Sequence, residues 1–478
     1  MQVNQSALIR PLKSRLLNRE YPIYPMFGIV GTICGTLLAI FLIPESASGA
    51  DSLFPSAVMM TIGLTIAPFS AAIKNPKTLL RAEHILALAP IYWLLLDLLQ
   101  KAYVIEETWL PGIKGAFFGI GLFVVGVWVA AMMNSLSLPQ SIIKSSSHKL
   151  HSKTLFKLIL IFFSIGILKY AYPCNFNPIT MVGYLFVDRW SAPWTRAALG
   201  GWSSFIDHLS YFGYLLPTLS VLFMVSSKRF SYLIVTSTFL SLFMAIFLAQ
   251  SGSRRVIGVI FGAAIICWLI EQRKLKLKEL LIAFISMALL LTVMQNMLNF
   301  RGSGFAAAFD ETESRESIYK HLHVDDNFYR LSQTVFIVPR YASFVYEKQI
   351  VFALIRPIPR AIWKNKPTNP GFDLAAIIGK RGVALTHSVI GDWYITGGWI
   401  AVFVGGLLYG GLARMISGLL IKDADSAGGL VYSLMVMAMF AGVRAMIDII
   451  LMSYALFAWM AISWLLLPKV RKSSFPQS

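Results

Sequence analysis

Twelve stretches of about 17–25 predominantly apolar residues constrain this chain more than any other feature. They lie near 23–43, 53–73, 85–104, 115–134, 155–171, 210–226, 231–250, 255–270, 279–298, 396–416, 429–446 and 448–467. As a helix rising about 1.5 Å per residue, each is long enough to cross roughly 30 Å of hydrocarbon. A soluble core of this size cannot bury them all. Across 478 residues, 56% are hydrophobic and only 14% are charged, against about 25% charged in soluble domains. The expected fold is therefore an all-α polytopic membrane protein with about twelve transmembrane helices and one large outer loop. In chain order this gives a membrane bundle of nine spans over 1–298, the loop over 299–395, and a three-span bundle over 396–478. The last two spans are nearly continuous, and only Arg444 and Asp448 mark a turn between them.

Three cysteines are too few for a disulfide framework, and they lack paired zinc-ligand spacing. The net charge of +19 is dispersed between apolar runs rather than gathered into a nucleic-acid patch, so no nucleic acid is expected. Lys and Arg crowd alternate short connections, among them Arg10 to Arg19, Lys74 to Arg81, Lys144 to Lys157 and Arg273 to Lys278. The intervening connections hold few. By the positive-inside rule the crowded side is the cytoplasm, with both termini in it. Met1 to Glu20 is basic and polar and shows no apolar segment ending in a cleavage site, so no removable signal peptide is expected.

Two hydrophilic regions then fall outside, about 172–209 and the dominant 299–395, which is too long for a passive connector. Asp325 or Asp326 can cap a helix in which Phe328, Leu331, Val335 and Val338 recur on one face until Pro339 bends or ends it. Ile350 to Trp363 is apolar but carries Arg356 and Arg360, a pattern suited to a segment lying at the membrane surface.

Cations where the orientation rule disfavours them are the chemical signal. Arg254 and Arg255 follow Ser251-Gly252-Ser253 in a very short outer turn. Two readings are open for them: snorkelling or ion pairing, and an anion site in which planar guanidinium forks hold phosphate oxygens. Arg444 has the same two readings, with Asp448 as a partner on offer. The loop run from Arg356 to Pro367 displays Arg356, Arg360, Lys364 and Lys366 on a path stiffened by three prolines. Trp363 in that run, with Lys364 and Lys366, suits an interface or a sugar ring. His387 and Asp392 stand just before the next span, where His387 can accept a proton and Asp392 can orient it or act as the base itself. His321, His323, Asp325 and Asp326 resemble metal-ligand spacing, but a solvated polar turn is the more economical account, and no metal or cofactor is expected. Asp207 and His208 suit capping or interface contacts, and His84, His148 and His151 lie on the cytoplasmic side. Gly405, Gly406, Gly410 and Gly411 suit close helix packing. No Walker loop or HExxH is present.

Three local patterns bring these residues together: Ser-Gly-Ser-Arg at 251–254, Ile-Pro-Arg-x-Ile-Trp-Lys-x-Lys-Pro from Ile358 to Pro367, and Ser388-x-x-Gly391-Asp392-x-Tyr394-x-x-Gly397. With the span layout, they resemble the Wzy-type oligosaccharide repeat-unit polymerases, relatives of the O-antigen ligases. The resemblance implies a GT-C-like fold in a bacterial inner membrane and a metal-independent glycosyl transfer at its outer face. The glycan would leave undecaprenyl diphosphate for a sugar hydroxyl on another lipid-linked repeat unit, with a chain-length regulator as a possible partner. Diphosphate binding then falls to Arg254, with Arg255, Arg356, Arg360 and Arg444 as further clamps. His387 or Asp392 would be the base. Two rivals are an O-antigen ligase, with lipid A core as acceptor, and a flippase or transporter for lipid-linked sugars.

Overall fold

A computed structural model describes residues 21–46, 51–102, 109–195, 201–227, 231–250, 252–272, 274–299, 305, 321–356, 358, 362–380, 385–420 and 427–466. Among these the chain is all-helical, without a strand. The principal helices run in this order: α1 (Pro25–Phe41), α2 (Phe54–Lys74), α3 (Ala82–Leu99), α4 (Leu110–Met132), α5 (Ser152–Ala171), α6 (Phe205–Ser226) and α7 (Tyr232–Gln250). Then follow α8 (Arg254–Glu271), α9 (Leu277–Asn299), α10 (Asn327–Ile337), α11 (Glu347–Ile355), α12 (Ser388–Ser417), α13 (Gly428–Arg444) and α14 (Met446–Leu466).

Each of the twelve apolar stretches coincides with one of these helices. Nine of them, α2 to α7, α9, α12 and α14, are long and apolar enough to cross a membrane. α1 and α13 are apolar but only 17 residues long, and α8 carries Arg254, Arg255 and Glu271 within its 18 residues. Large apolar side chains stand on the outside of these helices, among them Ile73, Phe284, Ile400 and Trp464, each more than 70% exposed. That is the surface of a polytopic membrane protein, and water would not tolerate it over such an area.

Contacts group the chain into two compact units that cut across chain order: 1–136 with 314–418 and 438–451, and 137–313 with 419–437 and 452–478. In the first, α1 and α2 meet on small residues. A β-carbon on Gly35 would stand 2.8 Å from the Cα of Gly63, so the two backbones touch through the Gly31-x-x-x-Gly35 face. α4 is the spine of this unit, with Phe117, Phe123, Val127 and Trp128 fully buried. The glycines of α12 do allow close packing: Gly406 lies against the Phe123 carbonyl and Gly410 against that of Val127, whereas Gly411 faces open space. In α3, Pro90 is followed by one wide helical turn over Ile91–Leu95, the local loosening expected where a proline removes a backbone donor. The Trp93 carbonyl within that turn accepts from the Asn327 side chain at 3.1 Å, which docks the start of α10.

The second unit gathers α5 to α9. Gly166 of α5 abuts the backbone of Gly213 in α6. Trp194 donates to Gln250 at 3.2 Å and packs among Tyr170, Tyr184 and Phe247. Asp207 pairs with Lys169 at 2.6 Å. α9 is almost bare, with only 11% of its apolar window buried.

Candidate functional site

The segment that carries His387 and Asp392 is a short arm folded back on a longer helix. Within α12, Gly397 (φ −174°, ψ 35°) and Gly398 (φ 67°, ψ −152°) break the helix, and the second lies in a region that only glycine occupies freely. The break falls where the apolar stretch at 396–416 was expected to begin, so 388–396 is a helical arm of its own. Trp393 of the arm lies against Gly405, where a β-carbon would meet its indole at 2.4 Å. The arm is also held by Val345, which donates to the Ile395 carbonyl at 2.8 Å, and by the Tyr394 hydroxyl, which donates to Val338 at 3.1 Å.

At the arm's first turn, Nε2 of His387 lies 3.2 Å from Oδ1 of Asp392. The two are off the alignment of a hydrogen bond, and neither ring nitrogen has a hydrogen-bond partner among the described residues. The carboxylate is buried and anchored from two other directions. Oδ1 accepts from Nε2 of Gln349 at 2.6 Å, and Oδ2 accepts from the backbone N–H of Met446 at 2.7 Å. Phe372 packs edge-on against the imidazole at 5.6 Å. A carboxylate so fixed, facing an imidazole with a free nitrogen, is an arrangement that can orient a histidine for proton transfer.

Beside it, Arg444 is a hub. Its Nε donates to Asp325 at 2.5 Å, Nη1 to Asp448 at 2.9 Å and Nη2 to the Thr386 hydroxyl at 3.1 Å. The expected partner Asp448 is present, and a second carboxylate arrives from the long loop. All three nitrogens are thus engaged, and two negative charges answer one positive. Arg444 ties the two ends of the described loop, at 325 and 386, to the turn between α13 and α14.

The loop does contain the expected helix, α10, with Asp326 at its N-terminal boundary. Asp326 does not cap it, however; its backbone is left-handed (φ 53°) and its carboxylate turns toward Arg330 at 3.7 Å. α10 is no solvated connector: Phe328, Leu331 and Thr334 are fully buried, and Gly112 of α4 sits directly under the Ser332 carbonyl. In α11, Gln349, Ala353 and Arg356 follow at helical spacing on one face, which puts Arg356 two turns beyond the side chain that holds Asp392. Trp363 and Lys364 are exposed. Lys366, expected at a sugar or interface, turns inward instead. It is 8% exposed and its ammonium donates to the carbonyls of Arg356 at 3.2 Å and Ile358 at 2.7 Å, so it braces the loop. Arg360 lies outside the described residues.

Arg254 and Arg255, in the second unit, form the first turn of α8 after Gly252 (φ 65°). Cations there oppose the helix macrodipole, which favours anions at an N-terminus. An anion next to them would be attracted by the side chains and by the positive end of the helix dipole together.

Several residues of the first unit's polar network went unnoticed in the sequence. Gln349 is a neutral residue with no motif around it. Arg330, buried at 8% exposure, donates to Gln333 at 2.9 Å. Gln100 and Leu322 exchange two hydrogen bonds, at 3.0 and 2.9 Å, pinning the 321–326 segment to the end of α3. Burial pushes the His321 imidazole below its usual range, against the opposing pull of Asp326. Farther along the chain's first unit, Arg81, Glu83, Arg414 and Ser417 form a buried cluster in which Arg81 pairs with Glu83 at 2.7 Å and Arg414 reaches it at 3.6 Å. Comparison of the chain with protein-family models, curated proteins and solved structures finds no match.

Proposed function

We propose that this protein is a polysaccharide polymerase. It transfers a glycan chain from undecaprenyl diphosphate to a sugar hydroxyl of another lipid-linked repeat unit, at the outer face of a bacterial inner membrane. In this reading about twelve helices span the bilayer in a GT-C-like arrangement, the basic connections and both termini face the cytoplasm, and 299–395 faces outward. The observation that carries the proposal is the Asp392–His387 pair at 3.2 Å, held at the end of a helix that can cross a membrane.

In the reaction the acceptor oxygen attacks the anomeric carbon, the bond from that carbon to the diphosphate oxygen breaks, and the hydroxyl proton passes to the base. His387 serves as that base, because Asp392 is already occupied by Gln349 and Met446 and is better suited to orient the ring. A positioned base contributes about 10²–10⁴ in rate. Arg356 supplies positive charge on the face of α11 that Gln349 occupies, and each charged hydrogen bond to a departing phosphate is worth about 1.5–3 kcal/mol. Arg444, saturated by Asp325 and Asp448, holds the site together in this reading and does not bind phosphate. Arg254 and Arg255 are proposed in their own right as ligands for a lipid-linked phosphate at the start of α8.

The test is purified protein in nanodiscs with the lipid-linked repeat unit, with products sized on a gel. A ladder of chain lengths that is lost in His387→Ala and diminished in Arg254→Ala and Arg356→Ala supports the proposal. Unextended units with the wild-type protein would overturn it, and transfer only to a lipid A core acceptor would make the protein a ligase instead.

A further inference from the structure

We propose that Asp97, His321 and His323 bind a divalent transition-metal ion of the zinc class, which clasps the 321–326 segment to the end of α3. The inference does not depend on the glycosyl-transfer reading, because it concerns a different set of side chains and a binding event rather than a reaction.

The donor set comes first. One oxygen of Asp97 and one nitrogen from each histidine all lie within 4.8 Å of one another. Around a tetrahedral ion bound at about 2.0–2.2 Å, donors sit roughly 3.3 Å apart, so the side chains need to draw in by little more than an ångström. Two imidazoles and a carboxylate are the mixture that zinc accepts and that magnesium and calcium, which take all-oxygen shells, do not favour. Three protein ligands leave a fourth position for water.

The backbone already holds this arrangement. The two imidazoles already lie beside each other, with ring centroids 6.0 Å apart and planes inclined at 68°. The register of the 321–326 segment against α3 is fixed by the paired hydrogen bonds of Gln100 and Leu322, and by Val324 N–H donating to Oδ1 of Asp97 at 3.3 Å. Preorganisation of this kind lowers the entropic cost of binding. A further contact supplies a supporting carboxylate: Nδ1 of His323 lies 3.8 Å from Asp326.

Charge gives the independent argument. Asp97 is 4% exposed and belongs to an apolar helix, where a lone carboxylate is costly. Asp325 and Asp326 stand near enough to add like charge to it. Arg444 answers Asp325, and Arg330 answers Asp326. No ion pair is formed by Asp97 among the described residues, and a bound dication would supply the missing positive charge. Because Asp325 follows two residues after His323 and grips Arg444, which in turn reaches Thr386 beside His387, an ion here would also steady the neighbouring turn.

The experiment uses the full chain in nanodiscs, stripped with a chelator and carried in a Cys34→Ser background to remove the exposed thiol. Zinc is titrated in competition with a chromophoric chelator, and the thermal midpoint is followed in parallel. The expected result is one equivalent per chain, with a raised midpoint that magnesium does not reproduce. Affinity should fall at least 100-fold in His321→Ala/His323→Ala and in Asp97→Asn, and should be unchanged in His151→Ala. Binding below stoichiometry, or equal binding in the double variant, overturns the site. If the variants fail to fold, cobalt(II) added to the parent protein decides the matter. Intense tetrahedral absorption without thiolate bands supports the site, and weak octahedral bands or none reject it.

Discussion

Gly391 lies so close beneath His387 that a β-carbon there would stand 2.5 Å from the ring's Cδ2 and 2.9 Å from its Cβ. The missing methyl lets the imidazole fold down to within reach of Asp392. Gly391→Ala is intrinsically favourable for a helix by up to about 1 kcal/mol, yet the ring must swing away to admit it. The expected outcome is at least a tenfold loss of polymer at normal protein level, read from glycan ladders in cells carrying only the variant. Wild-type ladders would show that the His387–Asp392 approach is dispensable.

Asp392→Asn keeps the shape of the side chain and removes its charge. The rate of chain extension should fall by about 10²–10⁴, measured as initial rates on purified lipid-linked substrate. Gln349→Ala should cost no more than about tenfold. Because Gln349 touches the carboxylate at 2.6 Å, the two changes should not add, and once Asp392→Asn is in place the second should have little further effect.

Arg444→Ala removes the guanidinium that Asp325 and the fully buried Asp448 share. Breaking a buried pair in this way costs about 3–5 kcal/mol, which mild-denaturant unfolding in detergent should register as a marked loss. Neutralising Asp448 in the same chain, as Asp448→Asn, should restore part of that stability. No recovery would mean that the hub acts through Thr386 and Asp325 alone.

Acid should weaken the second unit through His148. Burial holds its imidazole below the ordinary value of 6.5, so just below that pH the unfolded chain binds a proton that the folded one refuses. Stability is therefore fully present above pH 6.5 and declines as pH falls from there to the folded-state value. The effect is small for a group this exposed. His148→Gln should flatten the fall in thermal midpoint between pH 7 and pH 5.5, and an unchanged slope would assign that fall to other groups.

What the sequence made legible was what depends on near neighbours. Each apolar stretch coincides with a helix among the described residues, nine of them long and apolar enough to cross a membrane, because spanning length and composition are properties of a continuous stretch. His387 and Asp392 are five positions apart, and Arg444 and Asp448 four, so closeness along the chain was enough to suggest each pair. Long-range partners left no trace. Asp325 lies 119 positions from Arg444, and Gln349 is an ordinary polar residue until the arm folds onto α11. Asp97 carried no signal within its apolar stretch, and His321 and His323 looked like a solvated turn; only the docking of 321–326 on α3 joins them. Lys366 was misread for a physical reason: a lysine in a proline-rich loop usually faces water, but here two carbonyls freed by the bend accept its protons.

The double glycine at 397–398 separates what the arm does from how the helix meets lipid. Residues 399–417 alone rise about 28 Å, close to the thickness of a hydrocarbon layer. A thicker or thinner bilayer changes the tilt of such a helix. With Gly397 and Gly398 between them, that tilt need not be passed to the turn holding His387 against Asp392. Acyl-chain length can then vary with temperature or growth while the geometry of the turn stays constant.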